Sequence, residues 1–212
     1  MKSTTILDQG FYARDALAVA RDLLGKHLRH GSVVLRISEV EAYRWPNDSA
    51  NHCRAGVTRR NAPMWGPPGH AYVYLCYGMH YMLNVVTNQK GQGAAVLIRA
   101  CEPVKGLSKI RARRRNLEGP ALLTGPGKVA QALGLDSSFS GHALFAPGGL
   151  ELLDAPTAHH IMHGPRIGIG FARVIDQRAP WRLAVADSAW VSHRKLLRGS
   201  HTRIRRRTLQ ET

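Results

Sequence analysis

Tyr72-Val73-Tyr74-Leu75-Cys76-Tyr77-Gly78-Met79-His80-Tyr81 carries four of the chain's six tyrosines in one short run. Extended to Thr87, the run reads as two strands joined near Gly78, where a glycine suits a tight turn. Side chains alternate between faces along a strand, so Tyr72 and Tyr74 share a face. Tyr77 falls at the hairpin tip, where a large ring has no core of its own to enter. Ordinary packing accounts for Tyr72 and Tyr81 but not for Tyr77.

On either side of this run, 33–43 is rich in β-branched residues and predicts a strand, 94–100 a short apolar one, and 167–171 and 181–186 later ones. The spacing of Leu17, Ala20 and Leu24 predicts a helix over 13–24 that Gly25 ends. Pro126 to Leu133 predicts another, capped by Thr124 and stopped at Gly134. Strands and helices do not alternate as regular βαβ units, so the expected class is α+β rather than a doubly wound sheet. The 212 residues suffice to bury roughly 70% of the unfolded surface, and no repeat or linker divides them, so one domain is expected.

Thirty Lys and Arg stand against 14 Asp and Glu, a net charge of +16. Such an excess bears on partners, and the abundant polyanions are nucleic acids and anionic membranes. The charge is uneven. No acidic residue lies between Asp48 and Glu102, where Arg54, Arg59, Arg60, Lys90 and Arg99 fall. Further basic runs span 105–115 and 194–207, read as a solvated helix face and a flexible arm, or as parts of a polyanion site. No stretch approaches the roughly 18–20 apolar residues of a membrane span, so the chain is expected to be soluble. Cys53, Cys76 and Cys101 are odd in number and lack CxxC spacing, which suits a reducing compartment. Residues 1–10 include Asp8 and lack a signal peptide's apolar core, so a cytoplasmic location is expected.

Three familiar motifs fail. At Gly125, Gly127 and Lys128 a phosphate loop would need glycine at Leu122 and Ser or Thr at Val129. Gly168 and Gly170 begin a dinucleotide fingerprint that Arg173 breaks. His159, His160 and His163 have helix-compatible metal spacing without the carboxylate of HExxH, and a solvent-facing cluster is the preferred reading; no metal is expected.

Glu39-Val40-Glu41-Ala42-Tyr43 ends an otherwise apolar strand with two carboxylates. Glu39, Glu41 and Tyr43 share a face and can line a cleft beside a ring; alternatively a carboxylate simply pairs with one of the many arginines. Taken with the tyrosines and the acid-free basic stretch, the carboxylates suggest an enzyme that extracts a nucleobase. Stacking on an aromatic ring is worth about 1–3 kcal/mol per base. A ring at a protruding tip can wedge into a base step, offsetting the few kcal/mol that extrusion costs. A carboxylate would then activate water for attack at C1′, as in inverting glycosidases.

Seven collinear stretches resemble the alkyladenine, or 3-methyladenine, DNA glycosylase family. They are Glu39-Val40-Glu41-Ala42-Tyr43; Asp48-Ser49-Ala50-Asn51-His52; Thr58-Arg59-Arg60-Asn61; Tyr72 to Met79 followed by Asn84; Val96-Leu97-Ile98-Arg99-Ala100 with Glu102-Pro103; Gly125-Pro126-Gly127-Lys128; and Pro165-Arg166-Ile167-Gly168-Ile169. The resemblance runs from about Tyr12 to Ser192. It implies a glycosylase domain over 1–192 with a curved, mostly antiparallel sheet, flanking helices and a DNA-inserting hairpin, followed by a basic tail over 193–212. It also implies monofunctional hydrolysis without cofactor or metal, by a monomer acting on duplex DNA that contains alkylated or deaminated purines. By position, Glu41 resembles the general base and Arg99 a residue that holds the water and the Glu41 carboxylate. Tyr43, His52, Tyr74 and Asn84 resemble the base pocket, with Asn84 facing the exocyclic amino group of guanine. Tyr77 resembles the wedge with Met79 beside it, while Arg59, Arg60, Asn61 and Lys128 are expected on the DNA backbone. A main-chain carbonyl near Ile167 or Ile169 is implied to complete the water site. Cys53, Trp65 and Leu183 depart from the family pattern, which bears on lesion range. The competing reading is a non-catalytic basic protein that only holds nucleic acid.

Overall fold

The computed structural model describes residues 5–199. Among them nine strands form one sheet: β1 (His27–His30), β2 (Val33–Tyr43), β3 (Ala71–Cys76), β4 (His80–Val86), β5 (Ala95–Lys105), β6 (Leu150–Leu153), β7 (Ile161–Gly164), β8 (Arg182–Val185) and β9 (Arg198–Gly199). They run in the order β3-β4-β5-β2-β8-β7-β9, with β1 bridging β2 and β6. Every pairing is antiparallel. With α1 (Ala16–Leu23), α2 (Leu107–Arg113), α3 (Pro126–Leu133) and α4 (Val174–Arg178) around it, the class is α+β, as the sequence suggested.

The main core lies where α1, α3 and the inner face of the sheet meet. Ala16, Val19, Ala20 and Leu23 put one face of α1 into it at i, i+3, i+4, i+7 spacing. This helix starts later than its apolar pattern because Asp15 accepts the Leu17 amide at 2.9 Å, a cap worth about 1 kcal/mol. Capping decides α3 differently. Thr124 is not its cap; the Thr124 hydroxyl donates to the Pro120 carbonyl, and Gly125 takes the capping position.

Two other expectations change. Residues 167–171 form turns instead of a strand, and the strand lies earlier, at β7. The histidine spacing therefore belongs to a loop and a strand, not a helix, and His160 faces Asp187 at 3.2 Å. Beyond 192, Leu197 is buried and β9 pairs with β7. The proposed arm at Arg203 to Arg207 lies outside the described residues. None of the described helices is long and apolar enough to cross a membrane.

What positions the site is irregularity in the central β2–β5 pair. Ile37 faces Cys101, Glu39 faces Ala100, and Val40 faces Ile98. Ser38 is thus extra on one strand and Arg99 on the other. Bulges of this kind re-aim a side chain, and here they turn Arg99 toward both glutamates.

Candidate active site

Glu39 and Glu41 on the central strand β2 are both fully buried, yet their surroundings differ. Glu39 accepts from Arg99 Nε and Arg182 Nη1, each at 3.0 Å, and from the Ser192 amide and hydroxyl at 2.6 and 2.8 Å. Three of these bonds meet on Oε1 and one on Oε2, so Glu39 is tied to two arginines and to Ser192. Glu41 accepts the Ile167 amide at 2.7 Å and the Tyr43 hydroxyl at 2.9 Å, with Arg99 Nη1 at 3.2 Å. Burial pulls the Arg99 pKa down, but Glu41 and Glu39 outweigh it and raise it, so the guanidinium stays charged. Ile167 approaches Glu41 through its N–H rather than a carbonyl.

Arg99 and Tyr43 reach from this centre into a cavity of ≈ 340 Å³, which His52, Tyr74, Asn84 and Tyr77 also line. The Tyr72 and Tyr74 rings stack with centroids 5.2 Å apart, and His52 meets Tyr74 edge-on at 4.7 Å. Burial raises the Tyr43 and Tyr74 hydroxyls above their ordinary range. Asn84 is buried and donates its amide to the Tyr72 and Met82 carbonyls, which fixes its orientation in the wall.

His52 Nδ1 lies 3.1 Å from the Tyr72 hydroxyl. Burial, then Arg60 and Arg54, lower its pKa from 6.5 to about 4. The unfolded chain therefore takes up a proton near pH 6.5 that the folded chain refuses until about pH 4. The stability tied to neutral His52 is complete above that window and is lost as pH falls through it, by at most about 3 kcal/mol and less after screening. His52→Gln should flatten this part of the curve of denaturation midpoint against pH. An unchanged slope would show that the loss arises elsewhere.

The hairpin leaves the sheet beside the cavity. Met79 donates its amide to the Cys76 carbonyl, and Tyr77 and Gly78 between them have φ of 50° and 67°, a type I′ turn. Glycine takes such angles freely. A tyrosine there is strained, of order 1–3 kcal/mol, and strain of this kind gathers at functional sites. Tyr77 is 84% exposed and Met79 70%. Arg59 and Arg60 are exposed, and Arg60 caps the Tyr74 ring at 5.2 Å. Asn61 is not a surface residue: it is buried, and its carboxamide binds Thr58, His52 and Gly56 main chain, bracing the loop that carries His52. Lys128 is half-buried at the start of α3, outside the cavity lining.

The methylpurine-DNA glycosylase (MPG) family matches residues 10–189. The chain belongs to that family. Among similar proteins, one from Nitrosococcus oceani, provisionally named 3-methyladenine DNA glycosylase, is 59% identical over 92% of this chain and 96% of its own. An Arabidopsis thaliana protein named DNA-3-methyladenine glycosylase is 58% identical over 86% of this chain and 72% of its own.

Sequence reasoning did not single out the support under this candidate site. Asp48 and Arg166 form a fully buried bidentate pair at 2.5 and 2.8 Å. The Arg166 guanidinium lies 4.7 Å over the Tyr43 ring and precedes Ile167, so the pair holds both neutral donors to Glu41. Phe171, exposed at the cavity mouth beneath Arg54, was also missed. Asp48 was the last acid before a long acid-free stretch, a signal that a cation elsewhere needed it.

Proposed function

We propose that the chain excises alkylated or deaminated purines from duplex DNA, extruding the nucleotide into the aromatic cavity and hydrolysing its N-glycosidic bond with water activated by Glu41. The family supports the coarse part, a DNA glycosylase that hydrolyses N-glycosyl bonds in base-excision repair of alkylated DNA. The observation that carries the finer part is the buried Glu41 carboxylate, held directly behind Arg99, Tyr43 and Ile167, which line an aromatic cavity beside a strained, exposed tyrosine.

A carboxylate has about four acceptor positions. Tyr43 and the Ile167 amide take two on Glu41 and Arg99 pairs with it at 3.2 Å, which leaves a position for water. Glu41 removes a proton from that water as its oxygen bonds to C1′ and the C1′–N bond breaks, the electron pair leaving with the base. An N3- or N7-alkylated purine is cationic and leaves neutral, so part of the discrimination against normal bases is chemical. The rest belongs to the walls: Tyr43, His52 and Tyr74 offer ring faces and edges, and the fixed Asn84 amide stands where a guanine amino group would press. Arg59, Arg60 and Lys128 serve as backbone contacts in this reading, and Tyr77 with Met79 fills the vacated stack.

The test is excision by the purified chain on duplexes that each carry one lesion, read as alkali-sensitive abasic sites and compared with Tyr77→Asn. Asparagine tolerates the left-handed turn but removes the ring. Wild type should cleave at least one alkylated purine. The variant should lose about tenfold or more in a fully paired duplex and less opposite a mismatch, where extrusion is easier. Equal loss in both contexts would sink the wedge, and binding without excision would favour the non-catalytic reading.

A further inference from the structure

The hairpin has two flanks, and the reading above uses one. Tyr72, Tyr74, Cys76, Met82 and Asn84 give the β3–β4 ribbon its cavity side. Across the ribbon a second groove of ≈ 680 Å³ opens between Met79, His80 and Tyr81 and the side chains of Arg114, Arg115 and Gln131.

The groove is cationic, and among the described residues no carboxylate lines it. Arg114 is pinned in place, its Nε donating to the Leu122 carbonyl at 2.9 Å and its Nη1 to Gln131. Arg115 next to it is exposed and makes no hydrogen bond or ion pair with the described residues. These charges press on one another: burial and Arg115 lower the Arg114 pKa, and burial and Arg114 lower that of Lys128. The nearby Glu118 gives no relief, since it pairs with Arg111 at 3.2 Å.

The backbone here is strained as well. Arg115 and Asn116 have φ of 54° and 56°, two consecutive non-glycine residues in the left-handed region. This turn ends α2, with the Asn116 amide donating to the Arg111 carbonyl at 2.8 Å, and it leaves both side chains exposed. The effect of the turn is to present a second guanidinium beside the fixed one, a pattern suited to an anion.

Geometry identifies the anion. Either groove of duplex DNA is bounded by two phosphodiester backbones. A hairpin tip that takes the place of an extruded nucleotide has the damaged strand on the flank that receives the nucleotide. The undamaged strand must then pass the other flank. We propose that the Arg114–Arg115 groove holds phosphates of the undamaged strand opposite the extruded nucleotide, an inference that rests on the base-extrusion reading above. The two flanks together would grip both strands around the gap, so that the enzyme holds a duplex rather than any lesion-bearing strand.

The probe is a duplex with a stable abasic-site analogue, either unmodified or with neutral methylphosphonate linkages opposite the analogue in the undamaged strand or beside it in the damaged strand. Arg115→Asn keeps the left-handed turn and removes the charge. Its Kd should rise about tenfold, and the slope of log Kd against log salt should fall by about one phosphate contact. Neutral linkages in the undamaged strand should weaken wild type similarly and add little to the variant's loss. A full additional loss there, or absorption of the loss by neutral linkages in the damaged strand instead, would overturn the assignment, as would an unchanged Kd. Excision by wild type separates the two readings. A wild type that fails to excise while the Arg115→Asn penalty still maps to the undamaged strand would break the glycosylase mechanism and keep the groove. Normal excision with an unchanged variant Kd would do the reverse.

Discussion

Glu41→Gln is expected to lower single-turnover excision of an alkylated purine by about a thousandfold or more, within the range for losing a positioned general base. Glutamine preserves the size and an acceptor oxygen for the Ile167 amide, so the cavity should keep its shape. It cannot take the proton from water. Arg99 loses one of its two carboxylates but stays tied to Glu39 through Nε at 3.0 Å, so no unpaired buried cation results. Duplex binding should be little changed, because Glu41 is fully buried and its charge is already offset by Arg99. Unaltered excision would exclude Glu41 as the base. Loss of both excision and binding would point to a damaged fold, which a denaturation midpoint close to wild type would rule out.

Much of this site could be read in the sequence because it sits on regular elements. Alternation along β2 correctly put Glu39, Glu41 and Tyr43 together, and the β2 limits, Val33 to Tyr43, matched the predicted strand. The hairpin was legible because glycine marks its turn and tyrosine is out of place there. The periodic reading could not divide labour between the two glutamates. That division depends on the bulges at Ser38 and Arg99 and on Ser192 and Arg182, which approach from distant parts of the chain. Asn61 was expected on the DNA backbone with its neighbours in a resembling stretch, yet it is buried with three main-chain partners that only the folded loop supplies. Residues 167–171 look like a strand by composition, but Gly168 takes a φ of 78° and the segment turns to bring the Ile167 amide to Glu41. Local pattern gives way wherever the site imposes its own geometry.

Breaking the Asp48–Arg166 pair should have the largest effect on stability and reach the chemistry indirectly. Both side chains are wholly buried. Arg166 also donates to the Ala42 carbonyl, while Asp48 accepts the Arg44 and Ala50 amides. Asp48→Ala strands a buried cation and two amides, a change that costs about 3–5 kcal/mol, or roughly 10 °C in melting temperature for a chain of this size. Paired charges in an interior are often no better than apolar groups of the same shape, so Asp48→Leu with Arg166→Met should recover the part of that loss due to the stranded cation, though not the part due to the two amides. Activity should not return with it. Tyr43 would have lost the guanidinium under its ring, and the Ile167 amide would have lost its anchored neighbour. Glu41 would then be held mainly by Arg99, and kcat should fall at least tenfold with KM little changed, since misplacement of a reacting group by about 1 Å can cost a hundredfold. Chemical denaturation read beside single-turnover excision separates the two effects. A double variant with partly restored stability and full kcat would show that the pair serves the fold alone. One with partly restored stability and depressed kcat would show that this buried ion pair positions Glu41 through Tyr43 and Ile167.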